Sequence, residues 1–556
     1  MKIKNTIILS SLVASSLFAE AHIPKIGDVL KEVQPPKIER KQQEIPTIQQ
    51  AEVTPLQGLE DGKKVLIVEF VVSGADHMSA HEIKEIVAPY ENKELSFREI
   101  QEITSLITKK YREKGYFVAR AYLPPQNIFA QNGALKINVV EGHYGAFQLK
   151  NNSLVKDSII QDNLDAIKDE NIVSTHTLER AMLIINDTPG VEVSKAEVKP
   201  GTEVGTSDFL IETSATSRYN GYIIGDNYGS DYTGKHRIMG ALDINSPLDV
   251  GDKLSFFGFT SEDKGLLSGR VAYDFPLYPN GTRATLSYAK TAYELGSNLK
   301  QYDAIGKADN FAARISYPIM RTRVETLKSY TEFSYNKMED EIQAKSIKKD
   351  SYVATAGLDY TKETLFFSKN SQTRAGVSLT AGRLNFHNTS DRNDDKRGAN
   401  TQGTFSKINL ELGKDIALAD MLQWKNTLQF QYAFGNKNLD GSQDMSIGGI
   451  NGVKFYQDNE ESAENGYIYN TEMLYALPQV ANINNTASVF YDVGRVYMSK
   501  NIATQSTRTF QDIGLGYKGS YENFFLNSYL AYNIGNRVTA QKNYSHRFML
   551  QMRYIF

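Results

Sequence analysis

His77 and His81 stand four residues apart, a spacing that can set two imidazole ligands for a metal on one helical face. Ser79 falls between them and, with Glu82, has the spacing of a capping box, the serine–glutamate pair that satisfies free backbone N–H groups where a helix starts. The two histidines therefore straddle a helix start and share no face, and no base or third ligand accompanies them. The sequence contains no His-Glu-x-x-His, no Gly-x-Ser-x-Gly and no phosphate-cradling Walker loop. With no cysteine, it offers no thiolate nucleophile, disulfide framework, zinc finger or iron–sulfur cluster. The expectation is a chain with no catalytic residues, no metal and no cofactor. The acidic pair Glu460-Glu461 reads as a solvated loop, and the Asp-, Asn- and Arg-rich run Asp391–Arg397 as an external loop.

Composition narrows the class further. Sixty-two Lys and Arg oppose 65 Asp and Glu for a net charge of −3, which lacks the basic excess that phosphate neutralisation needs, so no nucleic-acid partner is expected. At 556 residues the chain exceeds one ordinary domain. Lys2 and Lys4, the uncharged run Thr6–Phe18 and the small residues of Ala19-Glu20-Ala21 have the order of a secretory signal peptide, placed at 1–19. The run is too short and too rich in serine for a membrane helix, which needs roughly 20 apolar residues. No later stretch has that length, so an exported chain can lie in a membrane only as a barrel.

The elements that could position functional residues fall into two regions. Of 32 Tyr, 26 Phe and one Trp, only twelve lie before residue 214, which leaves 47 in the last 343 residues. Before that border the pattern is helical and mixed. Residues 20–36 read as a short helix, with Ile26, Val29, Leu30 and Val33 at helical spacing and Pro35-Pro36 as its stop. Residues 37–64 are polar and broken by proline, a tether and not a core. Residues 65–142 and 143–213 look like two copies of one β-α-α-β-β unit. In the first, Val65–Val72 reads as a strand and Ser79/Glu82 and Ser96/Glu99 as the starts of two helices. Ile100, Ile103, Ile107 and Tyr111 line the second helix, Gly115 ends it, and strands Tyr116–Leu123 and Ala134–Val140 follow.

Residues 214–556 alternate with period two. Trp424, Leu428, Phe430, Tyr432 and Phe434 interleave with Lys425, Thr427, Gln429 and Gln431. Phe548, Leu550, Met552, Tyr554 and Phe556 interleave with Met549, Gln551 and Arg553, so that Tyr554 and Phe556 make an aromatic terminal signal. A strand facing lipid on one side and a wet lumen on the other keeps half its residues polar. This reconciles a membrane location with a mean hydropathy of −0.41. At roughly 10 residues per strand plus connections the region accommodates about sixteen antiparallel strands. A secreted β-sandwich or β-helix also alternates, but the aromatics at strand ends and the final Phe556 favour the barrel.

The order of these parts resembles the TpsB transporters of two-partner secretion, the haemolysin secretion/activation proteins. These belong to the superfamily of outer-membrane barrels carrying polypeptide-transport-associated (POTRA) domains. The likeness rests on Tyr111-Arg112-Glu113-Lys114-Gly115-Tyr116, Leu123-Pro124-Pro125-Gln126 and Val140-Glu141-Gly142, a first POTRA signature. It continues through Asp226-Asn227-Tyr228-Gly229, Gly251-Asp252, Tyr317-Pro318 and Arg321. Its most specific part is Ile447-Gly448-Gly449, then Val453-Lys454-Phe455-Tyr456, and later Phe490, Asp492 and Gly494. In that superfamily an external loop folds into the lumen and its Val-Arg-Gly-Tyr/Phe tip meets an Asp of a Phe-x-Asp-x-Gly wall strand. Here Lys454 replaces the usual Arg and Phe455 the usual Gly. Lysine keeps the charge but not the planar fork that binds a carboxylate at two points.

The resemblance implies a Gram-negative outer-membrane translocator, a monomer set in lipid by the barrel-assembly machinery, with its POTRA domains in the periplasm. The POTRA residues Tyr111, Gly115, Tyr116 and Leu123–Gln126 would recognise a passenger exoprotein, adhesin-like or haemolysin-like, exported unfolded without ATP. The helix at 20–36 would plug the lumen, the returning loop would gate it, and Lys454 would contact Asp492. The bland reading of Lys454 is a solvated loop lysine. A barrel-assembly insertase of the same superfamily is the alternative, and a passive porin a lesser one.

Overall fold

The alternating half of the chain closes on itself. A computed structural model describes residues 23–36, 44–50, 64–127, 132–170, 172–343, 345–500, 507–535 and 545–556; the expected signal peptide at 1–19 lies outside them. Among the described residues, sixteen antiparallel strands form a closed barrel from Tyr219–Asp226 to His546–Ile555. The last strand pairs with the first, Ile555 opposite Tyr222 and Gln551 opposite Asp226. Beyond that ladder the Phe556 N–H donates to the Gly221 carbonyl at 3.0 Å and the Gly221 N–H returns the bond at 2.8 Å. Tyr554 packs between Phe556 and Phe524, so the terminal aromatics staple the seam. Trp424, Phe430, Tyr432 and Phe434 are exposed on the outer wall, whereas Gln431 and Met549 are buried on the inner side. Period-two alternation thus separates a lipid face from a lumen face.

Two α+β units precede the barrel. In the first, the serine side chains of Ser79 and Ser96 accept hydrogen bonds from the N–H groups of Glu82 and Glu99, starting helices Ala80–Val87 and Phe97–Glu113. Ile100, Ile103, Ile107 and Tyr111 bury one face of the longer helix against Leu135, Ile137 and Val139. The expected strand Val65–Val72 is broken at Val68, whose N–H donates to the Gly133 carbonyl at 2.8 Å. Lys64–Ile67 therefore pairs with Lys93–Ser96, while Glu69–Ser73 joins Ala134–Val140 and Arg120–Tyr122. The strand expected at Tyr116–Leu123 shrinks to Arg120–Tyr122. Gly115, at φ +91°, turns the chain out of the helix, and the Ala119 N–H closes a turn on the Tyr116 carbonyl.

The second unit has helices Asp157–Asp165 and Thr175–Asn186 against a sheet of His143–Asn152, Thr206–Ser214 and Glu192–Pro200. Here the tether reading of residues 37–64 needs correction. Ile45 is 3% exposed inside this unit's core, and Gln49–Gln50 pair in parallel with Glu197 and Val198. The described part of the linker is extended but bound.

The second unit sits on the near end of the barrel through three arginines. Arg321 grips Asp187 at 2.8 and 2.9 Å, Arg323 bonds Glu179 at 2.7 Å, and Arg180 donates to the Pro318 carbonyl at 2.7 Å while lying over the Tyr317 ring. The fully buried Asp252 accepts from the Leu248 N–H and the Tyr273 hydroxyl, shaping a turn whose Asp249 carbonyl takes the Lys156 N–H. The motif residues Gly251-Asp252, Tyr317-Pro318 and Arg321 are therefore parts of one joint.

Candidate functional site in the barrel lumen

The segment between strands Leu422–Ala433 and Asn465–Val480 starts at the far end of the barrel and turns back into its lumen. A short ladder, Met445–Ser446 against Ser462–Ala463, forms its stem. Beyond it the Val453 N–H donates to the Ile447 carbonyl at 2.8 Å and the Gly449 N–H to the Tyr456 carbonyl at 2.9 Å. Gly449 adopts φ +90°, a backbone state in which any Cβ is strained, and a Cβ there would also strike the Asp458 side chain.

That turn sets four tip residues against the wall. Lys454 Nζ lies 2.8 Å from Asp492 Oδ2, with the two side chains 9% and 0% exposed. The ammonium also sits 4.4 Å from the Phe490 ring centroid and 5.7 Å from that of Tyr529, an arrangement that favours a cation where water is excluded. The second oxygen of Asp492 accepts from Asn470 Nδ2 at 2.7 Å, and the same amide donates to the Gly452 carbonyl. Lysine makes one bond to the carboxylate, and Asn470 completes what a guanidinium fork would have filled. The Phe455 N–H donates to Asp512 Oδ2 at 2.5 Å. Tyr456 stacks on Phe510 at 3.8 Å between centroids, and its hydroxyl bonds Asn533. Ile447 and Val453 lie where a Cβ of Gly494 would be 3.2 Å from each, so glycine in the wall motif lets the loop approach closely.

A second network holds the loop's return limb; Asp226, Tyr228 and Gly229 belong to the resemblance, but their partners Arg237, Asp458 and Arg547 were not among the expected residues. Arg547 donates to the carbonyls of Lys454, Tyr456, Tyr228 and Gly229. Arg237, 6% exposed, bridges Asp226 at 2.8 Å and Asp458 at 2.9 Å. The alternation carried part of this signal, because Arg547 shares the inward series of Met549 and Gln551. Glu460 and Glu461 belong here too. The expectation of a solvated pair is corrected, since Glu460 accepts from the Gln457 N–H and Glu461 meets Arg508 at 3.0 Å. The expected loop Asp391–Arg397 is instead a helix, Thr389–Arg397, tied to Lys345 through Asp394.

The plug candidate occupies the same lumen, although among the described residues of 20–36 only Ile26–Val29 is helical, followed by a turn to Val33. Ile26, Val29 and Val33 are buried against Met239, Phe259, Leu295 and Leu384, with Leu30 at the margin. The Ile26 N–H donates to Asp340 Oδ1 at 2.7 Å. A Cβ at Gly27 would come within 2.7 Å of the Ser442 N and 2.8 Å of Asp440 Oδ1, so the loop's first limb lies directly on this turn. Glu32 joins both parts: it accepts from Thr233 Oγ1 at 2.9 Å and from Asn459 Nδ2, in the loop, at 2.8 Å. The remaining lumen holds a cavity of about 570 Å³ with Lys31, Asn409, Glu411, Gln429 and Gln431 among its lining residues.

The first-unit signature divides into two places. Tyr111 is fully buried and its hydroxyl donates to Glu141 Oε1 at 2.7 Å. Tyr116 lies against Tyr111 and His77, and the Gly115 carbonyl accepts from the Thr175 N–H and hydroxyl, joining the two units. Leu123 packs on the same core as Tyr111 and Tyr116, and beyond Pro124 and Pro125 the Gln126 side chain exchanges two 2.8 Å bonds with the Lys136 backbone. His77, from the pair considered for metal binding, bonds Glu141 through both its N–H and its ring.

Burial pushes the Glu141 carboxyl up, but the hydrogen bonds from His77 and Tyr111 outweigh it and hold the carboxyl below its ordinary 4.5. A carboxyl depressed in the folded state contributes stability that is full above the unfolded value and lost as pH falls through the folded one. Pepsin cleavage of this unit should therefore accelerate as pH drops below 4.5. Glu141→Gln should flatten that acid dependence and cost about 2 kcal/mol near neutrality, the scale of a lost charged hydrogen bond.

Comparison with known proteins places this geometry. A family model for the haemolysin secretion/activation protein ShlB/FhaC/HecB matches residues 205–519, and one for the POTRA domain, ShlB-type, matches 65–142. The heme/hemopexin transporter protein HuxB of Haemophilus influenzae (strain 86-028NP) is 27% identical over 484 residues, covering 85% of this chain and 83% of its own. The outer membrane transporter CdiB of Escherichia coli is 23% identical over 453 residues, covering 77% and 72%. Among solved structures, CdiB from Escherichia coli superposes with a TM-score of 0.74 at 19% identity, over 91% of this chain and 93% of its own. BamA from Haemophilus ducreyi lacking POTRA domains 1–3 superposes with a TM-score of 0.51 at 12% identity, over 89% and 100%. These structural likenesses establish the fold.

Proposed function

The chain belongs to the haemolysin secretion/activation protein family ShlB/FhaC/HecB, and on that premise we propose that its lumen loop and its Ile26–Val33 segment are the two removable parts of a closed export path. It is a two-partner secretion transporter of the outer membrane, with its POTRA domains in the periplasm. The observation that carries the reading is the way the lumen is filled. Both obstructing parts belong to the chain's own connections, not to the barrel wall, and a few side chains hold each: Lys454 on Asp492, Ile26 on Asp340, and Glu32 between the two.

In this mechanism an extended passenger, an adhesin-like or haemolysin-like exoprotein, docks on the POTRA domains by strand addition. Main-chain hydrogen bonds then give affinity with little demand on sequence. The plug and loop leave, and the passenger moves along a wall whose polar side chains, such as Gln429 and Gln431, offer water-like contacts to an unfolded chain. Folding outside biases the direction, since no ATP is at hand. The translocator acts as a monomer and is inserted by the barrel-assembly machinery. The insertase alternative is not favoured, because the chain has two POTRA-like units in tandem and a plug. Deleting residues 65–142 should abolish release of a co-expressed exoprotein while the barrel keeps its heat-modifiable mobility. Undiminished release would refute capture by the first POTRA domain.

A further inference from the structure

The outer wall differs from one side of the barrel to the other. On strands Arg283–Glu294, Ile305–Arg321, Glu325–Ile342 and Lys345–Phe366, the outward residues Tyr288, Phe311, Tyr335 and Tyr352 stand opposite one another in an unbroken row. Tyr288 meets Phe311 at 4.7 Å between ring centroids, and Tyr335 meets Tyr352 at 5.0 Å. Phe311 lies ten positions from Arg321 and Tyr335 ten from Glu325, the strand ends that flank Arg323 at the second POTRA domain. About 9–11 tilted strand residues cross the hydrocarbon, so the row marks the outer membrane interface, where aromatic rings collect.

Two residues farther out the same strands turn charged. Lys290, Asp309, Lys337 and Asp350 form the next row, and Lys307, Glu339 and Lys348 the one after it. Arg383, on Lys369–Phe386, continues the aromatic row opposite Tyr352. The wall itself engages all three carboxylates. Asp309 accepts from the Tyr288 hydroxyl at 2.6 Å, Asp350 bonds His387, and Glu339 holds Lys307 at 3.1 Å and Lys348 at 3.2 Å. Lys290 and Lys337 are exposed, and among the described residues neither has an ion-pair partner. Arg383 is exposed as well and engages Asn385 through Nε at 3.2 Å. One pair farther out, Glu294 and Glu341 make the face acidic and bound the patch. At the same end of the opposite wall the exposed outward residues include Tyr432, Tyr467, Tyr532 and Phe548, with Arg495 the basic residue beside them.

We propose that this face of strands Arg283–Glu294 to Lys369–Phe386 is a binding site for a bis-phosphorylated glycolipid of the outer leaflet, the chemistry of lipid A. Lys290 and Lys337 take its phosphates, Arg383 reaches the same headgroup from the next hairpin, and the aromatic row packs against its acyl chains. Charge selects the ligand. Across the aromatic and charged rows five cations meet three carboxylates, and the cations that no carboxylate occupies point outward at headgroup depth. One strand separates Lys290 from Lys337, which sets them about 10 Å apart at the spacing of neighbouring strands. Two phosphates carried on one disaccharide can meet both. Ammonium–phosphate bonds are charge-assisted, and the attraction strengthens where the effective dielectric falls below that of water. The wall also offers a fixed frame, since continuous ladders and the Glu339 and Asp350 contacts hold the rows in register. The inference uses the barrel's place in the outer membrane and does not depend on the path taken by a passenger.

Lipid titration of the full chain in detergent tests the site, with adducts measured by native mass spectrometry. The probes are diphosphoryl lipid A, the same lipid with both phosphates removed, and phosphatidylglycerol. Diphosphoryl lipid A should form its adduct at a concentration at least ten-fold below that needed by either of the others. Combining Lys290→Gln with Lys337→Gln should weaken that adduct at least ten-fold, whereas Arg495→Gln on the opposite wall should leave it unchanged. Heat-modifiable mobility identifies the folded variants, and the comparison of the three lipids on the unaltered chain needs no variant at all. Equal binding of the dephosphorylated lipid would reduce the contact to acyl packing and overturn the inference. Equal binding of phosphatidylglycerol would overturn the assignment to a bis-phosphorylated headgroup. Undiminished binding by the folded double variant, or equal weakening by Arg495→Gln, would overturn the placement of the site.

Discussion

Replacing Asp492 with alanine should lower exoprotein release at least ten-fold in a barrel that still assembles. The substitution leaves the Lys454 ammonium, 9% exposed, between Phe490 and Tyr529 with no carboxylate within bonding distance. Breaking one half of a buried pair costs about 3–5 kcal/mol, because the remaining charge has lost its counter-ion and has not regained water. The loop can escape that cost only by lifting the tip from the wall, which also gives up the Tyr456–Phe510 stack and the Phe455–Asp512 bond. Lys454→Arg should keep release near normal, since the charge and reach persist, whereas Lys454→Met should behave like Asp492→Ala. Release is measured as exoprotein outside the cell, and barrel assembly as heat-modifiable mobility. Normal export by Asp492→Ala would show that the tip contact is packing alone.

Deleting residues 23–36 should turn a closed protein into a conducting one. Ile26, Val29 and Val33 each contribute about 1.5–3 kcal/mol by burial, and nothing else in the described chain fills the space they hold between Leu295 and Met239. Bilayer conductance in potassium chloride should rise several-fold, while exoprotein release persists because the loop and both POTRA domains remain. Glu32→Ala removes the contact shared by plug and loop and should give a smaller rise in opening frequency, with the open conductance unchanged. Unaltered conductance in the deletion would remove residues 23–36 from any plugging role.

The barrel was the most legible part of the sequence. Its signal is local, since alternation through Trp424–Phe434 or Phe548–Phe556 needs no knowledge of which strand lies beside which. The helix starts at Ser79 and Ser96 were equally readable, because a capping box is complete within four residues. The break at Val68 was not, as it depends on a bond to Gly133 that no local pattern announces. The same holds for Arg237 between Asp226 and Asp458, where the second partner lies 221 positions away. The tip and wall residues were visible only through the family resemblance, and their environment was hidden. Asn470 and Asp512 flank them because strand register brings Asp492 opposite both. The linker misled for a related reason: a polar, proline-broken run says that a segment forms no core of its own, yet Ile45 borrows one from a neighbouring domain.

The central claim is that an unfolded passenger travels through this lumen after its own chain has cleared the way. Cysteine cross-linking tests it most directly, with single thiols placed at Gln429, which lines the lumen cavity, and at Tyr432, which is exposed on the outward series of the same strand. An exoprotein halted in transit by a folded, disulfide-closed segment, and carrying cysteines along its length, should form adducts with Gln429→Cys and none with Tyr432→Cys. Adducts confined to Tyr432→Cys, or continued export with none at Gln429→Cys, would place the path outside the barrel and contradict the account.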